Sequence, residues 1–241
     1  MEPSGIIFAA LDCDADVIEA WNRWYDLEHT PPNILLDGVM LSHRYVAPPA
    51  LHAARRCAEN SPFADGRATF LTVYTLTGDP ATAFAGMSGL REQLIAQGRM
   101  AFPDDKKVVR EGDVFGSVDA TPSAPTRLVP GDVPFVGHTG VVVIQRRGDE
   151  DAGRKRAASL VELEPVHGVW SLESRNRPGL ELDLVFVEGD AAAAAELLRR
   201  EAPVPTGVDV LVDAPYDLIT PLTYPWADAI RASDLPQTIA G

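Results

Sequence analysis

One segment of the sequence concentrates side chains that can move protons. His29 follows Asp26 by three residues and Tyr25 by four, which places the three on adjoining rows of one helix. The negative end of a helix dipole favours the imidazolium, and we expect Asp26 to orient the His29 ring. The spacing predicts acid–base catalysis by His29 with help from Tyr25 and Asp26. The alternative is that His29 and Glu28 only cap the helix.

A second histidine lies on a β-rich run, residues 39–46. Side chains alternate along a strand, so His43 and Tyr45 share one face and Arg44 takes the other. We expect the face of His43 to line a cavity in which His43 and His29 converge on one substrate. The alternatives are that His43 is a hydrogen-bonded core residue and that Arg44, a candidate substrate ligand, instead pairs with Asp26 or Glu28.

Aromatic residues near these histidines are candidates for the walls of a substrate site. They belong to the predicted helix and to the strands at 39–46 and 67–77, and they are Trp21, Trp24, Tyr45, Phe70 and Tyr74. Packing of the helix against the sheet is the alternative role for each of them.

The elements that position these residues occur in the same order in both halves of the chain. In the first half we predict strands at 5–11, 39–46, 67–77 and 107–118, with helices at 14–30 and 79–98. Pro31 and Pro32 are expected to end the first helix at Thr30. In the second half we predict strands at 137–145, 169–174, 180–187 and 208–212, with helices at 149–164 and 190–201.

This order is β-α-β-β-α-β twice, a ferredoxin-like α+β arrangement that indicates an internal duplication. We predict a first unit at 1–120, a proline-rich linker at 121–134, a second unit at 135–213 and a C-terminal tail at 214–241. Each unit leaves one face of its sheet bare, so the two sheets are expected to pack face to face and enclose a ligand cavity.

Residues 24–31, WYDLEHTP, together with Gly38 and the pair Arg44-Tyr45, resemble a motif of the dimeric α+β barrel superfamily, and within it of the EthD-like proteins. The resemblance implies a pseudo-dimeric α+β barrel formed by one duplicated chain and supports a catalytic role for His29. The superfamily includes cofactor-free monooxygenases, polyketide cyclases, muconolactone isomerases and haem enzymes. Because the second half lacks W-Y-x-x-E-H, we expect one site per chain, in the first half.

Residues 48–66 contain several turn formers and no clear helix or strand. As a lid over the cavity, this segment would present Arg55 or Arg56 to an anionic substrate. A solvated loop is the alternative.

Charge and composition exclude several classes of partner and cofactor. The 35 acidic and 21 basic residues give a net charge of −14, which disfavours nucleic acid as a partner. Two cysteines, Cys13 and Cys57, form neither a disulfide framework nor a zinc motif, and no apolar run suits a signal peptide or membrane span. The histidine spacings match no metal motif. We therefore expect a cytoplasmic protein with no cofactor; haem ligation through a histidine is the remaining alternative.

These observations predict a cofactor-free enzyme of isomerase, cyclase or lyase type. Its substrate is expected to be a small, largely apolar metabolite such as a polyketide, a terpenoid or an aromatic catabolite. The alternatives are a small-molecule binding protein without activity and a cofactor-independent monooxygenase. The expected partners are that small molecule and a second copy of the chain, in a homodimer of pseudo-dimers.

Overall fold

The computed structural model describes residues 2–235. In the first half the elements are β1 (Gly5–Cys13), α1 (Ile18–Trp24), a π-helix (Tyr25–His29), α2 (Thr30–Ile34), β2 (Val39–Val46), α3 (Pro49–Ala54), β3 (Arg56–Cys57), β4 (Phe70–Leu76), α4 (Pro80–Ala96) and β5 (Lys107–Pro122). In the second half they are β6 (Gly140–Gly148), α5 (Glu150–Ser159), β7 (Val166–Ser174), β8 (Glu181–Val187), α6 (Ala191–Glu201), β9 (Val208–Leu218) and α7 (Ala227–Arg231). Short 3-10 helices cover Ala15–Val17, Asp104–Lys106, Ala124–Thr126, Pro130–Phe135 and Leu160–Glu162.

The strands form one antiparallel sheet that closes on itself. Its order is β2-β4-β1-β5-β7-β8-β6-β9, and the ends meet where Tyr45 and Val46 of β2 pair with Leu218 and Asp217 of β9. The short strand β3 pairs with β9 on the same edge. Pairing between β5 and β7 joins the two halves on the other side. The result is a closed barrel built from two β-α-β-β-α-β units, which confirms the predicted fold class.

Alternation along the strands gives each one an inner and an outer face. Phe8 on β1 lies opposite Val73 on β4, and both belong to the buried core inside the barrel. The outer residues of the same strands, such as Ile7 and Tyr74, face the helices. The first half therefore has two compartments, the barrel interior and the space between sheet and helices.

Both units extend beyond their predicted limits. The strand β5 continues to Pro122 and β9 continues to Leu218, where we had expected 120 and 213. The predicted linker is also partly ordered, because the 3-10 helix Pro130–Phe135 buries Val133 against the barrel. Across residues 2–235 no helix has the length and apolar character needed to span a bilayer.

The segment predicted as a lid lies against the second unit. It contains α3 and β3, and α3 packs on β9 and α6. Arg55 donates hydrogen bonds to the carbonyls of Phe63, Arg67 and Ala68, and Arg56 pairs at the surface with Glu196. Neither arginine lines the cavity described below. Leu51 and Phe63 of the segment are buried in the core inside the barrel, so the segment is a packed part of the fold and not the solvated loop that was the alternative to a lid.

Candidate functional site

A cavity of about 440 Å³ lies between the outer face of the first-half sheet and its helices. Strand residues form its floor, the π-helix forms one wall, and α4 covers it. The lining residues are Ile7, Ala9, Leu11, Trp24, Tyr25, His29, Asn33, Thr72, Tyr74, Phe84, Met87, Ser88, Arg91, Asp104, Lys107, Val108 and Val109. Mostly apolar walls with a few convergent polar groups are typical of small-molecule sites.

The π-helix sets the position of the two titratable side chains on one wall. Its wider turn is closed by the N–H of Thr30, which donates to the carbonyl of Tyr25 five residues earlier. Pro31 and Pro32 then lie in the first turn of α2, where no backbone N–H is needed. The prediction that these prolines end the helix at Thr30 was therefore wrong, since helical structure continues to Ile34.

His29 lies between aromatic rings and is uncharged at neutral pH. Its ring centroid is 4.7 Å from that of Trp24 and 4.6 Å from that of Tyr25. Its Nδ1 atom is buried and has no hydrogen-bond partner within the part of the chain that the structure describes. Burial, reinforced by the charges of Arg44, Arg91 and Lys107, lowers the pKa of His29 to about 3. Our expectation of a stabilised imidazolium was wrong because desolvation and nearby cations outweigh the helix dipole.

Two phenols accompany His29 in the cavity. Burial raises the pKa of both Tyr25 and Tyr74, so both remain protonated and can donate hydrogen bonds. The Tyr74 hydroxyl lies near the side chains of Thr30 and Asn33, but neither it nor the Thr30 hydroxyl makes a well-formed hydrogen bond among residues 2–235. A ligand with a polar oxygen would satisfy such atoms, which otherwise carry a desolvation cost.

Asp26 points away from His29. Its Oδ1 accepts a hydrogen bond from Arg44 at 3.0 Å, and both side chains are buried. Its Oδ2 accepts from the Tyr224 hydroxyl at 2.5 Å and from the backbone N–H of Leu222 at 2.8 Å. The prediction that Asp26 orients the His29 ring is therefore wrong. Arg44 forms an ion pair with Asp26, which was the alternative to a role in substrate binding.

His43 lies in the other compartment, inside the barrel. Its ring is 4.9 Å from that of His138, and the His138 Nε2 lies 3.0 Å from the Tyr45 hydroxyl. Burial and the neighbouring His138 lower the pKa of His43 to about 4. His43 and His29 are therefore separated by the sheet, and the expected convergence on one substrate was wrong.

The predicted aromatic walls divide between the cavity and the core. Trp24 and Tyr74 line the cavity, whereas Tyr45 lies inside the barrel. Trp21 is fully buried, and its ring lies 4.8 Å from that of Phe70. Because Trp21 and Phe70 pack against each other beside the cavity, they support its wall and do not line it.

Residues of α4 and of the chain leading into β5 also line the cavity, and the sequence analysis missed them. Phe84, Met87, Ser88 and Arg91 are spaced by three and four residues, which places them on one face of α4. In the sequence, this spacing could have identified the four residues as one face of a helix. Lys107 donates to Asp104 at 2.6 Å, and Arg91 lies 4.0 Å from the same carboxylate. The cavity therefore has a cationic side although the protein is acidic.

Two solved structures share this architecture. The chain matches a chlorite dismutase-like protein with a TM-score of 0.52 and 10% identity, over 95% of this chain and 98% of the other. It matches an anthrone oxidase-like protein with a TM-score of 0.50 and 11% identity, over 91% of this chain and 92% of the other. The chain has the dimeric α+β barrel fold. No protein-family model and no curated protein matches it, so the EthD-like assignment stays a prediction.

In this dimeric α+β barrel the corresponding space of the second half is filled. Arg146 on β6 is 1% exposed and bonds to Asp183 at 2.8 Å and to Glu181. Its guanidinium lies so close to Gly153 of α5 that a Cβ atom there would meet it at 2.1 Å. A buried ion network thus occupies the region where the first half has its cavity.

Metal ligands do not gather anywhere in the described chain. Between residues 2 and 235 no group of three or more His, Cys, Asp and Glu side chains is placed to hold an ion.

Proposed function

We propose that the chain is an enzyme that performs acid–base chemistry on a small, largely apolar organic molecule in the first-half cavity. The observation that carries the proposal is the neutral His29 ring, with a buried and unpartnered Nδ1, in the same cavity as the buried Tyr74 hydroxyl. The surrounding walls are apolar and aromatic. These groups suit a ligand with an apolar skeleton and one polar, ionisable end.

The proposed step transfers one proton from the substrate to His29. A C–H bond next to a carbonyl breaks, an N–H bond forms on the imidazole, and the electron pair remains on the substrate as an enolate. A pKa of about 3 makes His29 a weak base before a substrate binds. The enolate raises the pKa of the imidazolium beside it, and Tyr74 can donate a hydrogen bond to the enolate oxygen.

The cations around the cavity act on the substrate as well as on His29. Arg44, Arg91 and Lys107 disfavour a positive imidazole, and the same field favours a negative oxygen on the ligand. Return of the proton from His29 to a different carbon completes an isomerisation. Cyclase and lyase reactions start from the same enolate. None of these steps needs an oxidant, because the substrate keeps its electrons.

A cofactor-independent monooxygenase is the second candidate. The same enolate is rich in electrons, and oxidation of its CH₂ group by dioxygen to a carbonyl releases one water. An anthrone oxidase-like protein shares the fold. Consumption of dioxygen with formation of the ketone would favour this candidate, and proton exchange without oxygen uptake favours the isomerase type.

Exchange of α-protons in deuterated water tests the proposal. The probes are a panel of bicyclic aryl ketones with acidic α-protons, followed by proton NMR. The protein should accelerate exchange of at least one ketone, and His29→Gln should lower the rate by about 10²-fold or more. His43→Gln is the matched control, because His43 lies opposite Val73 on the face of the sheet that points into the barrel. Full exchange activity in His29→Gln would contradict the proposal, and binding of the ketones without exchange would favour a binding protein.

A further inference from the structure

The chain after β9 returns to the first half and packs on the helix that carries the site. The Trp226 ring lies 5.5 Å from the ring of Phe70, and Ala227 and Ile230 are buried in the same cluster as Trp21. The segment 219–231 therefore forms part of the outer core of the first unit. None of its residues lines the cavity.

The polar contacts of this segment meet at one carboxylate. Tyr224 and the N–H of Leu222 both donate to Oδ2 of Asp26, at 2.5 and 2.8 Å. Leu222 has φ +60°, a left-handed backbone that is unfavourable for leucine. Such strain persists only where the surrounding contacts enforce it. Leu222, the residue with the left-handed backbone, is the one whose N–H donates to Asp26.

The other oxygen of Asp26 links this contact to the cavity wall. Arg44 donates to Oδ1 at 3.0 Å and also to the Asn22 side chain at 2.5 Å. Its guanidinium carbon lies 4.2 Å from the centre of the Tyr25 ring. Tyr25 in turn contacts His29. A continuous set of contacts thus runs from Tyr224 through Asp26 and Arg44 to the two titratable residues.

The π-helix needs support of this kind. π-Helices are rare, and a segment of five residues is held by few hydrogen bonds of its own. Asp26 is the residue of this segment that bonds to both the C-terminal segment and a strand of the sheet. A shift of the π-helix would move Tyr25 and His29 together.

We propose that Asp26 is a positioning residue through which the C-terminal segment 219–231 holds the π-helix, so that Tyr25 and His29 face the cavity. The expected effect on catalysis rests on the proposed function, whereas the expected effect on the positions of Tyr25 and His29 does not. Asp26 thus fixes the position of the π-helix and does not orient the His29 ring directly.

Tyr224→Phe tests the proposal because it removes one hydroxyl and leaves the ring against Trp226. The matched control is Arg231→Ala, which breaks the ion pair of the same segment with Glu19 and leaves the contacts of Asp26 intact. The first readout is the NMR resonance of the His29 Hε1 proton, assigned with His29→Gln. The rings of Trp24 and Tyr25 shift that resonance.

In Tyr224→Phe the His29 resonance should move towards that of an exposed histidine, and in Arg231→Ala it should stay in place. Ketone exchange should lose about ten- to a hundredfold in kcat, since a remote change that misplaces a reacting group by about 1 Å can cost about 10²-fold. If Tyr224→Phe lowers the melting temperature but leaves the His29 resonance unchanged, the segment only adds stability and the proposal is wrong. The resonance is recorded without ligand, so this test is independent of whether the exchange assay supports the proposed function.

Discussion

Tyr25 and His29, the first and last residues of the π-helix, have ring centroids 4.6 Å apart. The contact places a phenol and an imidazole on the same wall of an apolar cavity. Burial acts on the two groups in opposite directions, since it raises the pKa of Tyr25 and lowers that of His29. Both groups are therefore neutral at neutral pH, one as a hydrogen-bond donor and the other as a proton acceptor.

Acid should destabilise the protein partly through this histidine. The pKa of His29 falls from 6.5 to about 3 on folding, so the unfolded chain takes up a proton that the folded chain refuses. The contribution of His29 to the free energy of unfolding is fully present above about pH 6.5 and is lost as the pH falls towards 3. At pH 5 the loss is at most about 2 kcal/mol. Urea unfolding at pH 7 and pH 5 should show a smaller loss in His29→Gln than in the natural protein. Equal losses in both would mean that His29 is solvated.

Removal of the Tyr74 hydroxyl should separate stability from function. This hydroxyl is buried and makes no well-formed hydrogen bond to its neighbours Thr30 and Asn33, so Tyr74→Phe should change the free energy of unfolding by no more than about 1 kcal/mol. Ketone exchange should become slower. Tyr45→Phe is the control, because the Tyr45 hydroxyl lies 3.0 Å from Nε2 of His138 and its loss should cost about 1 kcal/mol or more. Denaturant unfolding compares the two, and a larger loss in Tyr74→Phe would contradict the assignment.

Local sequence patterns were sufficient to predict the fold. Short apolar and β-rich runs and the repeated element order indicated two α+β units, alternation assigned the faces of β2, and the i, i+4 spacing placed Tyr25 and His29 together. The same alternation put His43 and Arg44 on opposite faces, but it contains no information on which face turns inward. That choice depends on the closure of the barrel by β2 and β9, which are far apart in the sequence.

The local environment of Asp26 was only partly predictable from the sequence. The spacing indicated His29 as a partner of Asp26, with an ion pair to Arg44 as an alternative, and nothing indicated Tyr224. In the structure Arg44 and Tyr224 take both carboxylate oxygens, and Tyr224 is 198 residues away. The π-helix was missed for a related reason. Pro31-Pro32 is a stop signal in an α-helix, but here a wider π turn precedes it and the helical chain continues to Ile34.

Two glycine substitutions should change the free energy of unfolding in opposite directions. They test whether the Arg146 ion network fills the space between sheet and helix in the second half. Gly153→Ala would place its Cβ 2.1 Å from the Arg146 guanidinium, which is held by two carboxylates, so it should destabilise by about 1 to 3 kcal/mol. Gly89 in α4 has no atom within 4 Å of its Cβ position. Gly89→Ala should stabilise by about 0.5 to 1 kcal/mol through helix propensity alone. Thermal unfolding measures both, and a neutral Gly153→Ala would show that Arg146 can move aside.

Neighbouring alanines on β1 provide the most direct test of the two compartments. Ala9 lines the cavity, and Ala10 is fully buried inside the barrel. Ala9→Leu should extend into the cavity, leave the free energy of unfolding within about 1 kcal/mol of the natural value, and abolish binding and exchange of the ketone probes. Ala10→Leu overfills a packed core and should cost about 1 to 3 kcal/mol, with exchange retained below the unfolding transition. Urea unfolding and NMR exchange on the pair distinguish the compartments. Loss of exchange in Ala10→Leu with retention in Ala9→Leu would place the site inside the barrel, and the role proposed for His29 would pass to His43.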